Sequence, residues 1–294
     1  MAHEHEHPDN RRPLTVALIL TGGYCIVEFV GGWLTNSLAL VSDAGHMLSD
    51  VTAMGLSLFA AYIATLPVNS QKTFGYYRAE ILAAFLNGLA LWLIAGVIFR
   101  EAYYRFFSPA DVHGHGMILI ASAGLAVNLA SVWLLQNSHH TNLNLRGVFL
   151  HVLSDVLGSI GAIVAGILIV WTGWQWVDPV TSVLIGLLIL VTSFELVRES
   201  VDVLMQATPR HIDLAEVQRT LEAVDGVKKI HDLHVWTLTS NLFTLTAHVV
   251  VNGARDQHAL LDSLEKTIHE RFGIDHITIQ LEPQDRQAGE PQHF

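Results

Sequence analysis

The sequence predicts an α-helical membrane protein, a bundle of six transmembrane helices followed by a small cytoplasmic α+β domain. Three observations predict it. Of the 294 residues, 51% are hydrophobic and only 15% charged, with a mean hydropathy of +0.40, against about 25% charged in a soluble domain. Six apolar stretches of membrane-spanning length all lie before residue 200. From residue 208 onward the composition changes, and that stretch carries half of the 16 Lys and Arg. An ordinary soluble enzyme and a disordered chain are excluded. The net charge of −11 and pI of 5.8 exclude nucleic acid as the main ligand, because phosphate binding needs an excess of Lys and Arg. The partners are cations, other proteins and the lipid bilayer. A single cysteine, Cys25, rules out an intramolecular disulfide and a thiolate metal cluster.

The predicted spans cover residues 14–34, 38–65, 79–99, 116–136, 147–171 and 177–197. The first is longer than the apolar part of a signal peptide and five more spans follow it, so it is read as a retained helix. Pro67 and Asn69, and Gly173 before Asp178 and Pro179, fall where loops are required. Lys and Arg accumulate in cytoplasmic connections. With the N-terminus inside, that side receives Arg11, Arg12, Lys72, Arg78, Arg146 and Arg198, and the other only Arg100 and Arg105. Trp33, Trp171, Trp174 and Trp176 lie at span ends on that second side, as interfacial anchors. Both termini are therefore expected in the cytoplasm. The short loops and the lack of a transit peptide point to a bacterial inner membrane. The domains follow as a His-rich tail at 1–13, the membrane domain at 14–207, the cytoplasmic domain at 208–284 and a tail at 285–294.

In the cytoplasmic domain Pro209 closes the preceding helix, and Ile212 to Val224 has helical apolar spacing that ends before Gly226. The runs VKKIHDLHVWTL and LFTLTAHVVV flank Thr239, Ser240 and Asn241 and read as a hairpin. Residues 256–272 return to helix, and HITIQLE is a final strand. The order helix, strand, strand, helix, strand fits a ferredoxin-like layer of sheet covered by helices on one face.

The chemistry lies in two copies of H-x-L-S-D-V about one hundred residues apart, one inside the second span and one inside the fifth. Four-residue spacing places His46 over Asp50, and His151 over Asp155, each pair on one helix face. If those faces meet, two imidazoles and two carboxylates supply the four donors of a tetrahedral zinc site. Imidazole favours zinc among the abundant divalent ions, and the set lacks the thiolates of copper(I) sites and the six oxygens of magnesium or calcium sites. Each ionised residue at mid-span costs about 2.5–3.5 kcal/mol on insertion scales, so a bound cation is a better account of the duplication than interhelical polar pairing. Asp43, three residues before His46, is a candidate for lining an aqueous approach. Glu28, Asn87, Asn128 and Glu195 are read as interhelical hydrogen-bond partners or interfacial groups. The glycines of the first and fifth spans, Gly158 among them, are read as close-packing positions.

These residues, with SLALVSDAGHMLSD, FGYYRAEILAAFLN, HVLSDVLGS, WVDP and HDLHVW, resemble the cation diffusion facilitator family, in its zinc-transporting subgroup. The likeness runs from about residue 12 to 284. The resemblance implies six transmembrane helices, a cytoplasmic ferredoxin-like domain, a homodimer, and export of Zn2+ from the cytoplasm in exchange for protons. It implies that His46, Asp50, His151 and Asp155 are the transport site. It further implies a cytoplasmic zinc site, with His231, His248 and Glu282 at positions that carry metal in related domains and His276 at one used in mammalian-type relatives. His258 matches a bridging ligand of the bacterial two-metal arrangement, while Gln280 replaces one of its histidines. The loop LPVNSQKTFGYY lacks the Asp and His ligands that some relatives carry there. His3, His5 and His7 form a metal-capturing tail.

Zinc requires neutral imidazoles and ionised carboxylates, so protonation is the natural release signal. An intramembrane metalloenzyme is not expected, because no span contains HExxH. A membrane zinc sensor and a passive divalent-cation channel without proton coupling are the alternatives. Cadmium and cobalt are further candidate substrates.

Overall fold

The structure is a computed structural model that describes residues 11–63, 66, 69–136, 145–239, 242–252 and 256–283. The side chains at 11–18, 50, 54, 57, 58, 60, 61, 131–136 and 145–154 lie outside that description, as do His3, His5, His7 and the tail expected at 285–294. Two compact units emerge. One comprises helices α1 (Arg11–Leu34), α2 (Leu38–Ile63), α3 (Arg78–Phe107), α4 (Gly114–Gln136), α5 (Leu145–Thr172) and α6 (Val177–Leu204), with α2 counted as far as Ala61, α3 from Ala83 and α6 as far as Val197. The other holds Tyr62–Leu82 and the described residues from Arg198 onward.

The helices match the apolar stretches and extend past two of them. Hydropathy locates the membrane-length part of α3, but the helix continues to Phe107, where Arg105 pairs with Glu101 one turn back at 3.0 Å. Similarly, α6 runs on to Leu204 through Arg198, Glu199 and Asp202. Asp178 and Pro179, expected in a loop, lie in the first turn of α6, where proline displaces no helical hydrogen bond. Among the described residues, Arg78–Phe107, Asp155–Thr172 and Val177–Leu204 are long and apolar enough to cross a membrane. Exposed Leu93, Leu119, Trp171 and Val191 give the bundle an apolar exterior, and Ala95, Met117, Ala121, Ala162 and Ile189 are buried in its core.

One end of this bundle is tied by the turn between α1 and α2. Asn36 adopts a left-handed φ of 58°, which asparagine tolerates. Asn36 N–H then donates to the Trp33 carbonyl and Ser37 N–H to that of Gly32, closing α1 with a Schellman motif. Ser37 caps α2 by accepting from Leu40 N–H at 3.2 Å. Fully buried Asp178 of α6 accepts from the Ser37 hydroxyl and from Leu38 and Ala39 N–H at 2.7, 2.8 and 3.2 Å. Arg105 of α3 donates to the Asn36 carbonyl at 2.6 Å and sits 3.7 Å from Asp178.

The second unit contains helix α7 (Leu214–Glu222), strands β1 (Val227–Thr239) and β2 (Leu242–Val251), helix α8 (Gln257–Phe272) and strand β3 (His276–Glu282). This is the element order read from the sequence. The sheet runs β1-β2-β3, with β1 and β2 antiparallel and β2 and β3 parallel, because α8 carries the chain back across between β2 and β3. Asp213 and Asp256 cap α7 and α8, and Gly273 ends α8 at φ 64°, the left-handed position that glycine fills without strain. Val217, Leu221, Leu264 and Ile268 of the helices join Leu245 and Val249 of the sheet in one core. In the same unit, the Phe74 ring meets His276 edge-on at 5.6 Å, and the Thr239 hydroxyl donates to Glu80 at 2.9 Å.

Candidate metal sites

In the bundle, α2 carries His46 and Asp50 one turn apart, and α5 carries His151 and Asp155 in the same way. His46 is buried, and its Nδ1 lies 3.9 Å from Oδ1 of Asp155. The two motif-bearing helices therefore bring an imidazole of one copy to a carboxylate of the other. The side chains of Asp50 and His151 lie outside the described residues.

His46 also lines a cavity of about 230 Å³ with Ser49, Asn87, Thr192 and Ser193. Asn87 Nδ2 donates to Ser49 Oγ at 3.1 Å, joining α3 to α2, which is the packing role read for Asn87. Asp43 is buried against α5, where a Cβ built on Gly158 would meet its Oδ1 at 2.6 Å. Gly158 is thus small because a carboxylate occupies the space. Gly158→Ala should push α5 away from α2, costing about 1–3 kcal/mol as overpacking does. Thermal unfolding in detergent checks this, and an unchanged melting temperature would contradict the contact.

In the second unit, strand register brings three further donors together. His231 pairs with His248 across β1 and β2, and His248 with Gln280 across β2 and β3, so the three side chains form a row. Fully buried Glu282 closes the group. Its Oε2 is 3.1 Å from His231 Nε2 and its Oε1 is 3.1 Å from His248 Nδ1. Gln280 Nε2 donates to Glu282 Oε1 at 2.6 Å. The ligand atoms of His231, His248 and Glu282 lie within 4.8 Å of one another, and two imidazoles with one carboxylate are a donor set suited to zinc.

His276 stands apart. It pairs with Thr244 rather than His248, four residues along β3 from Gln280, and its ring lies against Phe74. The resemblance to the family sets His276 beside the other three, and strand register separates it from them. Asp232 is a residue that the sequence reading does not include. At φ 50°, in the register break between His231 and His234, Asp232 directs one oxygen to His234 Nε2 at 3.0 Å and the other to His248 Nε2 at 3.8 Å.

Comparison with known proteins follows this geometry. The cation efflux transmembrane domain family matches residues 14–205, and the cation efflux protein cytoplasmic domain family matches residues 209–284. A "Cadmium, cobalt and zinc/H(+)-K(+) antiporter" from Bacillus subtilis (strain 168) is 46% identical over 289 residues, covering 96% of this chain and 92% of the relative. The "Zinc transporter ZitB" of Escherichia coli (strain K12) is 42% identical over 293 residues, covering 97% of this chain and 93% of the relative. A solved structure titled "Metal-bound C-terminal domain of the CzcD transporter from Cuprividus metallidurans" is 43% identical, covering 24% of this chain and 99% of that one, with a TM-score of 0.23. With two matching family domains spanning most of its length and relatives above 40% identity throughout, this chain is an integral membrane protein of the cation efflux family, the cation diffusion facilitators, and not an enzyme.

Proposed function

We propose that the chain exports zinc from the cytoplasm by proton-coupled alternating access, with His46, Asp50, His151 and Asp155 as the transport site. One observation carries the reading: His46 of α2 and Asp155 of α5, one member from each copy of a duplicated motif, lie 3.9 Å apart inside the bundle. The antiporter and zinc-transporter names of the relatives support it, and cadmium and cobalt are further candidate cargo. The helices α1 to α6 are six membrane spans and the following unit is a ferredoxin-like domain. Both termini face the cytoplasm, the membrane is the bacterial inner membrane, and the protein works as a homodimer through the cytoplasmic domain at 208–284. Zinc binding needs deprotonated ligands, so protons entering from the outer side favour its release. The helices then tilt around an otherwise constant ligand set.

The test is zinc uptake by inside-out vesicles with pH followed at the same time. Zinc uptake with proton counter-movement is expected. Binding without flux would mark a sensor, and flux without a pH change would mark a passive channel.

His231, His248 and Glu282 form a second, regulatory zinc site in this reading, supported by their convergence in the sheet. His248→Ala should raise the zinc concentration for half-activation by at least about tenfold, the lower end of losses seen around metal sites, and change the maximal rate less. Unchanged zinc dependence in a transport titration would remove this site from regulation.

A further inference from the structure

Asp232 is not one of the three metal donors of the sheet, yet its backbone aims it at them. From His231 to His234, β1 advances three residues while β2 advances two, from His248 to Thr246. β1 therefore carries one extra residue there, a β-bulge, and a bulge re-aims side chains. Strict alternation from buried Ile230 would send Asp232 inward and Leu233 outward. Instead Leu233 packs with Ile230 and Val235 in the core. Asp232, at a left-handed φ of 50° that aspartate tolerates, turns to His234 and His248.

The His248 ring stands between two carboxylates. Its Nδ1 is 3.1 Å from Glu282 Oε1, and its Nε2 is 3.8 Å from Asp232 Oδ2. A neutral imidazole has one N–H, and only its other nitrogen can bind a metal. With the proton on Nδ1, the ring would donate to Glu282 and be lost as a ligand. With the proton on Nε2, the N–H faces Asp232 and the Nδ1 lone pair lies beside Glu282. At 3.8 Å the Asp232 contact is electrostatic rather than a formed hydrogen bond, and the negative oxygen favours the second arrangement. The other Asp232 oxygen is 3.0 Å from His234 Nε2, which holds the carboxylate in place. Among the described residues the donors that converge within 4.8 Å are His231, His248 and Glu282, so Asp232 acts from the far side of the ring and not as a fourth ligand.

Resting on the reading of His231, His248 and Glu282 as a zinc site, we propose that Asp232 is the positioning residue of that site. It selects the His248 tautomer that turns the Nδ1 lone pair to zinc, and His234 anchors it. A carboxylate behind a metal-binding histidine fixes the tautomer and orientation of the ring and raises its basicity as a ligand. The bulge has a purpose in this account. It brings two consecutive residues, the ligand His231 and the positioning Asp232, to one site, which a regular strand would send to opposite faces.

Asp232→Gly tests this in the purified full chain, because glycine adopts a positive φ without strain and the change removes only the carboxylate. His46→Ala and Asp155→Ala are present in every sample, so that zinc held at the sheet is read without the transport site. Two quantities are measured: the zinc Kd, by competition with a chromophoric chelator, and the melting temperature in excess chelator. Asp232→Gly should raise the Kd by at least about tenfold and leave the melting temperature unchanged. Asp232→Asn, whose amide oxygen still accepts from Nε2–H, should recover part of the loss, and His234→Ala should raise the Kd by less than Asp232→Gly. An unchanged Kd in Asp232→Gly would overturn the proposal. So would a melting temperature that falls with the affinity, Asp232→Asn binding no better than Asp232→Gly, or a larger effect from His234→Ala. His248→Ala separates the two readings. If it leaves zinc binding unchanged, the metal-site reading fails and takes this one with it; if it abolishes binding while Asp232→Gly binds normally, only the role of Asp232 fails.

Discussion

Asp155→Ala is expected to lower zinc uptake into inside-out vesicles by at least about a hundredfold, since even partners outside the ligand shell of a metal site are worth 10–100-fold. The carboxylate faces His46 from the opposite helix at 3.9 Å, so its loss removes one donor and half of the bridge between α2 and α5. Stability should move the other way. A carboxylate at mid-span opposes insertion by about 2.5–3.5 kcal/mol, and its removal from a functional site leaves the bundle as stable as before or more so. A structural pair with His46 would behave differently, with lower thermal stability and largely retained flux. Measuring both on the same preparation separates ligand from scaffold, and stable protein with normal uptake would contradict the assignment.

Asp178→Ala carries the largest expected cost to the fold. Its carboxylate serves the Ser37 hydroxyl and two N–H groups at the start of α2, and it is fully buried. Removing it strips the helix cap and leaves buried donors unmet, together worth about 2–4 kcal/mol. Arg105 would also lose its neighbour and keep only Asn36 and Glu101. The melting temperature in detergent should fall well below that of wild type, with Asp178→Asn intermediate because an amide oxygen still accepts. An unchanged melting temperature would mean that water satisfies the start of α2 and that the tie between α2, α3 and α6 is incidental.

What was legible in the sequence and what was not divides along physical lines. The helices are legible because lipid demands long apolar segments: α1 to α6 fall on the apolar stretches, and among the described residues three are long and apolar enough to cross a membrane. The helix and strand order of the second unit is legible from period and turn residues. The i, i+4 spacing of His46 with Asp50, and of His151 with Asp155, puts each pair on one face with no tertiary information. The contact between α2 and α5 is not contained in that spacing. It depends on packing, and the small Gly158 is its visible trace.

His276 and Asp232 are the clearest cases where one-dimensional reading stops. His276 shares a strand with Gln280 and Glu282, but register sets it opposite Thr244. Asp232 reaches His248 because a backbone irregularity redirects it, and composition carries no sign of that. Glu28, read as an interhelical hydrogen-bond partner or an interfacial group, is fully buried in α1, and neither of its carboxyl oxygens has a hydrogen-bond partner among the described residues. The grouping of Tyr62–Leu82 with the second unit was equally invisible, since the contacts that tie it there, among them the Phe74–His276 ring contact and the hydrogen bond from Thr239 to Glu80, are set by tertiary packing.

Zinc X-ray absorption on the purified full chain, with His231, His248 and Glu282 replaced by alanine, interrogates the shared site between α2 and α5 without interference from the sheet. About four nitrogen or oxygen neighbours at 2.0–2.1 Å, two of them with the outer-shell scattering of imidazole, are the predicted result, and the signal should vanish when His46 and Asp155 are also replaced. A bound ion surrounded by six oxygens, or the same spectrum after that replacement, would contradict a two-histidine, two-aspartate centre.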